Sequence, residues 1–283
     1  MHSKLKNQHK FKKTLLLGMV ILLCVCVCVC VCVCVCVCVS LSLDSMKIPV
    51  GKITSIIDAH RLEKSTLLKA PMDDIPITSG QITIHNQPIN PKLINNQRAR
   101  NSAFLPQFSL LNFPFTVEEV VRLGQTPHDT DNKLDTDIIH QSLAVVEMND
   151  FSQRLYPQLS GGEKQRIQLA RVFAQIWRTE DSSNPRLLLL DEPNTSLNLG
   201  HQQILMQFLQ EFAKSNVAIL IVLHNLNTAA NDSDELITLH AGMVLTTGTP
   251  EQISTSETIE SLFAINCHVT TNPKTGKPIM LEE

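Results

Sequence analysis

The chain has 283 residues, with 24 Lys and Arg against 27 Asp and Glu and a formal net charge of −3. This balance argues against a protein that coats nucleic acid, because such proteins carry a clear excess of positive charge. Aromatic residues make up only 4% of the chain, which also argues against a platform for stacking bases.

The N-terminal residues are unlike the rest of the chain. A basic segment, 1–13, precedes an apolar run, 15–39, in which Val and Cys alternate from Cys24 and which holds eight of the nine cysteines. Three interpretations remain open: a membrane anchor, a strand prone to aggregation, or a translated GT dinucleotide repeat. Without this tract only Cys267 remains, as is usual in a reducing cytosol. We expect residues 1–45 to lie outside the fold and 46–283 to form the domain.

From residue 50 onward, strand and helix patterns alternate. Short β-branched or apolar runs predict strands, and apolar residues at helical spacing predict helices. Two runs, 186–190 and 217–223, are continuously apolar, as in strands covered on both faces of a parallel sheet. The predicted strands are 51–57, 79–85, 103–105, 186–190 and 217–223. One predicted helix begins at Lys64, and four others cover 117–123, 138–148, 160–177 and 201–214.

The segment LSGGEKQR, Leu159 to Arg166, is the most specific motif of the chain. Ser160 and Glu163 have the spacing of a capping box, which predicts that a helix starts here. Gly161 and Gly162 allow a ligand to approach the backbone, and the free N–H groups of a helix start attract anions. The motif therefore predicts a site for a phosphate-bearing ligand.

Two further motifs follow predicted strands. Asp191 and Glu192 end the run LLLLDEP, and His224 comes 33 residues after Asp191, one β-α-β crossover later. Ligand sites of parallel sheets lie at these strand ends. One carboxylate there can hold Mg²⁺, and its neighbour can deprotonate an attacking water.

Together these motifs resemble the ABC transporter ATPases, over most of the chain from about residue 50. The resemblance implies an α/β fold: an ABC-type P-loop nucleotide-binding domain, with a mixed sheet, RecA-like β-α-β units and a helical subdomain at about 107–177. The stretches 113–128, 155–177 and 197–203 resemble the hemin importer ATPases in particular. The alternatives are an ATPase importing a ferric siderophore or cobalamin, and a catalytically dead or decayed subunit.

The resemblance implies ATP and Mg²⁺ as ligands and a role for each matching residue. Glu192 is the expected general base, with His224 and Gln107 beside the γ-phosphate. The expected metal ligands are Ser65, Gln107 and Asp191, and the expected nucleotide-binding residues are Lys64, Ser65, Thr66, Ser160, Gly161 and Gly162.

The implied partners are those of an importer. They are a second copy of the chain in a homodimer, two transmembrane permease subunits and, indirectly, a periplasmic hemin-binding protein; nucleic acid is not among them. The implied location is the cytoplasmic face of the bacterial inner membrane, with peripheral attachment.

The phosphate-binding loop departs from the family pattern GxxxxGK[ST]. Asp58 and Glu63 stand at the two glycine positions, ahead of Lys64. A carboxylate about 4 Å from a phosphate charge costs about 4 kcal/mol at an effective dielectric constant of about 20, which is about a thousandfold in affinity. A short compensated frameshift and gene decay both explain the change. Two smaller departures are Asn198, in place of the family's Asp, and Pro71, which should interrupt the first helix.

Overall fold

A computed structural model describes residues 14–28, 34–58, 61–72, 79–84, 87–88, 96–107, 111, 113–128, 132–178, 185–240, 242–273 and 275–282. The strands of these residues are β1 (Thr14–Cys28), β2 (Cys34–Pro49), β3 (Ile53–Asp58), β4 (Ser79–Ile84), β5 (Gln87–Pro88), β6 (Ser102–Leu105), β7 (Arg186–Asp191), β8 (Val217–Val222), β9 (Glu235–His240), β10 (Met243–Gly248), β11 (Cys267–Thr271) and β12 (Pro278–Glu282). The helices are α1 (Arg61–Lys69), α2 (Asn96–Asn101), α3 (Val117–Arg122), α4 (Asn132–Val145), α5 (Gly161–Gln175), α6 (Leu199–Lys214), α7 (Leu226–Asp232), α8 (Pro250–Ile253) and α9 (Ser256–Phe263).

Ten of the described strands form one mixed sheet, in the order β5-β4-β1-β2-β10-β9-β3-β8-β7-β6. The five strands from β9 to β6 run parallel to one another, whereas β9 and β10 are antiparallel. Strands β3, β7 and β8 are buried along their whole length, which confirms that they are covered on both faces. The predicted α/β fold with a mixed sheet is therefore confirmed.

Alternate residues of the parallel strands belong to different hydrophobic cores. Leu188 and Leu190 of β7 belong to the larger core, which includes side chains of α3 to α6, whereas Leu187 and Leu189 belong to a smaller core with Leu67 and Leu68 of α1. This division follows from the two-residue period of a strand. The two cores hold α1 on one face of the sheet and α5 and α6 on the other.

The N-terminal hairpin differs from the sequence-based expectation. Residues 1–45 are expected outside the fold, but β1 and β2 pair with each other and join the sheet through β4 and β10. The strand interpretation of the apolar run agrees with this secondary structure, and the helical membrane anchor does not. Among the described helices, none is both long and apolar enough to cross a membrane.

Helices α3, α4 and α5 pack against one another, in the part of the chain where a helical subdomain is expected. Near the C-terminus, α7, α9 and the hairpin of β11 and β12 form a small separate core around Ala230, Ile259, Cys267 and Met280. Sequence patterns did not predict these C-terminal elements, because their strands and helices are short.

Candidate functional site

The site lies where three neighbouring parallel strands end. Ile56 of β3 and Asp191 of β7 are both paired with Val222, at the end of β8 between them. Asp58 ends β3, and Glu192 and His224 follow β7 and β8, so all three residues reach the same edge of the sheet. This edge is the usual place for ligands in parallel α/β sheets.

Glu192 is the centre of a cluster of side chains from three parts of the chain. Gln107 Nε2 donates a hydrogen bond of 2.7 Å to Glu192 Oε2, and His224 Nε2 contacts Glu192 Oε1. The residue is only 3% exposed, and its φ of +50° is in the left-handed region, which costs a non-glycine residue about 1 kcal/mol or more. The predicted proximity of Gln107, Glu192 and His224 is therefore observed.

Thr195 is a member of this cluster that sequence reasoning missed. Its hydroxyl donates to the backbone oxygen of Glu192 at 3.2 Å and lies 3.4 Å from the carboxylate oxygen Oε2. A Thr three residues after the acid is the available signal, since a turn brings its hydroxyl back to the strand end. Thr195 thus helps to hold the carboxylate in place.

Asp191 lies next to Ser65 of α1. The pKa of Asp191 is raised above its ordinary value of 3.8, mainly by burial and further by the charge of Glu192. A hydrogen bond with Ser65 and the charges of Lys69 and Lys64 oppose this shift. The buried oxygen Oδ1 of Asp191 has no hydrogen-bond partner.

These two side chains suit a hard divalent cation. Mg²⁺ prefers oxygen ligands and is commonly bound by a carboxylate and a hydroxyl, as Asp191 and Ser65 supply here. Gln107 contacts Glu192 through its amide nitrogen, and its amide oxygen is a third candidate ligand. The residues present therefore fit the expected Mg²⁺.

The phosphate-binding loop is the part of the site that departs most from expectation. Helix α1 begins at Arg61, three residues before the start predicted at Lys64, so only two residues separate it from the end of β3. Arg, Leu and Glu favour a helix where the family pattern has flexible residues and glycine. As a result the chain enters the helix one turn early.

Lys64 is held inside this region. It is 1% exposed, and its Nζ donates a hydrogen bond of 3.0 Å to the backbone oxygen of Asp58. Asp58 is 5% exposed and Thr66 is 6% exposed, so both side chains are buried beside it.

Pro71 lies in a 3-10 turn after α1, which ends at Lys69, and this confirms the predicted interruption.

The LSGGEKQR motif forms the helix start that its sequence predicts. Ser160 is the N-cap of α5 and makes a complete capping box with Glu163, in which the Ser160 N–H donates to the carboxylate at 2.7 Å. A Cβ at Gly161 would meet no atom within 4 Å, whereas one at Gly162 would lie 2.7 Å from the backbone oxygen of Ser196. Gly162 is therefore required by packing, and Gly161 faces open space.

Helix α5, which begins within the LSGGEKQR motif, contacts the residue that follows Glu192. Gln165 Nε2 donates to the backbone oxygen of Pro193 at 3.4 Å.

Asn198 is the N-cap of α6, and its side chain accepts a hydrogen bond from the His201 N–H at 2.9 Å. Asn at this position therefore serves as a helix cap, a role that Asp fills equally well.

Comparisons with known proteins identify the family. Residues 42–195 match the family model described as ABC transporter. The chain belongs to the ABC transporter family. The predicted resemblance to its ATP-binding subunits, a family of ATP hydrolases, is confirmed.

Individual relatives extend this assignment. The chain is 40% identical to the hemin import ATP-binding protein HmuV of Gloeobacter violaceus, over 82% of this chain and 84% of that protein. It is 37% identical to the HmuV protein of Plesiomonas shigelloides, over 82% and 92% of the two chains. A solved ATP-binding subunit of an ABC transporter matches with a TM-score of 0.67 at 20% identity, over 85% of this chain and 91% of that one, which supports the fold.

Proposed function

We propose that this ABC ATP-binding subunit energises the import of hemin. The observation that carries the proposal is the cluster of Gln107, Glu192 and His224 beside the Ser65–Asp191 pair, because it combines a base with a metal site at one sheet edge. The substrate is taken from the relatives, which are named as hemin import proteins. The hemin-type stretches 113–128 and 197–203 support the same substrate.

The reaction is the hydrolysis of ATP to ADP and phosphate. A water oxygen attacks the γ-phosphorus, the bond to the β–γ bridging oxygen breaks, and its electron pair leaves with ADP. Glu192 accepts a proton from the water, as a general base held in place by Gln107 and Thr195. His224 borders the same space and can contact a γ-phosphate oxygen.

The remaining residues position the nucleotide. Ser65, Asp191 and Gln107 would hold Mg²⁺, which neutralises phosphate charge when bound. Lys64 supplies a positive charge for the phosphates, next to Thr66 on the first helix.

The assembly that fits this role is a pair of ATP-binding subunits that encloses the nucleotides. Ser160, Gly161 and Gly162 of one subunit would then face the nucleotide of the other through the free N–H groups of α5. Closing and reopening of the pair would drive two permease subunits from the cytoplasmic face of the inner membrane, and a periplasmic protein would deliver the hemin.

Growth on defined iron sources tests the substrate. Deletion of the gene should impair growth on hemin as the sole iron source and leave growth on a ferric siderophore nearly unchanged. The opposite pattern would assign the subunit to a siderophore importer. Equal loss of growth on both iron sources would show that the subunit serves both kinds of import or has a different function.

A further inference from the structure

His224 lies in a short connection between a buried strand and a short helix. Strand β8 ends at Val222, and the next residue, Leu223, is 1% exposed and belongs to the larger core. His224 and Asn225 are exposed, and α7 begins directly after them. The position of the imidazole, which contacts Glu192, therefore depends on where α7 is held.

Helix α7 depends on tertiary contacts for its own stability. It has seven residues, and helices shorter than about 12 residues are marginal in water on their own. Asn225 caps its start and accepts a hydrogen bond from the Thr228 N–H at 2.9 Å. Ala229 belongs to the larger core, whereas Ala230 belongs to the small core that also holds Met280 of β12. The helix is thus held between the main body of the domain and the hairpin of β11 and β12.

One side chain of α7 pairs directly with the backbone of this hairpin. Asn227 Nδ2 donates a hydrogen bond of 3.0 Å to the backbone oxygen of Met280, and the Met280 N–H donates one of 2.8 Å to Asn227 Oδ1. The side-chain amide therefore pairs with β12 as the peptide group of a neighbouring strand would. Two bonds from one planar amide fix both the distance and the rotation of α7 relative to the hairpin.

A second contact holds the other end of α7. Lys277 Nζ donates to the backbone oxygen of Asn231 and lies 3.5 Å from that of Ser233, where the helix ends. A cation is favoured there, because the last carbonyl groups of a helix carry partial negative charge. The hairpin therefore contacts α7 near both of its ends.

We propose that the C-terminal hairpin is a positioning element of the catalytic site, which holds α7 through Asn227 and Lys277 and thereby places His224 against Glu192. Both residues act through α7, so they are positioning residues and touch no nucleotide. Loosening the hairpin should slow turnover and leave nucleotide binding at Ser65 and Asp191 unchanged. The proposal rests on the role proposed above for His224.

Hydrogen exchange of the wild-type chain tests the structural link without nucleotide. Asn227→Ala removes both bonds to Met280 and should speed exchange about tenfold in peptides covering 229–233, because two hydrogen bonds of about 1 kcal/mol each no longer oppose local opening. Asn231→Ala is the matched control. It changes the same residue type on the same helix, but the Asn231 side chain bonds at 2.7 Å to the Asn227 backbone oxygen and not to the hairpin. Its effect on exchange should be smaller.

Phosphate release tests the link to the chemistry, in a full-length chain that carries GPNGAG in place of residues 58–63. There Asn227→Ala should lower kcat about ten- to a hundredfold, up to the cost of a misplacement of about 1 Å. Mg-ATP affinity, measured by isothermal titration, should change by less than about twofold, since binding does not use the imidazole. In a chain that already carries His224→Ala, adding Asn227→Ala should lower kcat no further, because coupled residues are not additive.

Lys277→Met gives a second variant if Asn227→Ala does not fold. It keeps the aliphatic stem and removes the ammonium from the end of α7. Exchange at 229–233 and kcat should change in the same directions as in Asn227→Ala, by smaller factors.

The outcomes separate this inference from the proposed function. If the GPNGAG chain with native Asn227 releases no phosphate, the proposed function is wrong, and exchange still decides whether the hairpin holds α7. If that chain is active and the hairpin variants leave kcat unchanged, or lower it equally in the presence of His224→Ala, the hairpin does not act through His224. Unchanged exchange at 229–233 would also overturn the proposal.

Discussion

The starts of α1 and α5 are the two helix N-termini that we propose to lie near the phosphates of ATP. At α5, a capping box fixes the helix start, and the space beside Gly161 is open. At α1, the corresponding segment carries acids at both glycine positions, and the helix extends towards β3. A favourable dipole is common to both helix starts, so we expect the groups around the N–H groups to decide which start can bind an anion.

Repair of the α1 start should produce the largest effect. Replacing residues 58–63 with GPNGAG removes two carboxylates, and ATP affinity should rise at least about a thousandfold, which is the electrostatic cost of one of them. Isothermal titration with Mg-ATP measures the gain. A control with DPNGAE keeps Asp58 and Glu63 and should remain weak. Equal affinity of the two variants would show that the acids are not the cause.

The second prediction concerns Glu192 in the repaired protein. Glu192→Gln should lower phosphate release about a hundredfold or more, since a general base contributes that much, while ATP remains bound. Titration and phosphate release on the same sample separate binding from turnover. Unchanged turnover would show that Glu192 is not the general base and only positions other groups.

The two glycines at the α5 start should respond differently to the same small change. Gly162→Ala places a methyl group against the Ser196 oxygen and should lower the free energy of unfolding by about 1–3 kcal/mol. Gly161→Ala enters open space and should change it by less than about 0.5 kcal/mol. Urea denaturation measures both, and equal effects would contradict the packing difference.

The smallest effect is expected at Asp191, beside α1. A raised pKa means that the folded state favours the protonated carboxyl, so stability is fully present below pH 3.8 and declines as the pH rises through the raised pKa. Asp191→Asn should therefore match the wild type near pH 4 and be more stable at pH 7, by about 1 kcal/mol or 2–4 °C. Thermal unfolding at both pH values checks this, and a variant less stable at pH 7 would contradict it.

Several structural features were predictable from local sequence. The apolar runs of β7 and β8 indicated buried parallel strands, and the spacing of Ser160 and Glu163 indicated the start of α5. Asp191 and Glu192, which follow a continuously apolar run, indicated the edge of the sheet at which the site lies. Each of these signals is contained in a few consecutive residues. They were readable because strand period, helix capping and burial of a short apolar run all depend on residues close together in the chain.

Tertiary structure decided the rest. Gln107 and Glu192 are 85 residues apart, and their hydrogen bond exists because β6 and β7 are neighbours in the sheet. The Val-Cys residues of β1 and β2 pair with each other, and the sheet is joined outside the tract, where residues 16–20 pair with β4 and Ser42 pairs with β10. Local sequence determined which residues carry the chemistry; strand order, which depends on contacts distant in the chain, determined which of them meet.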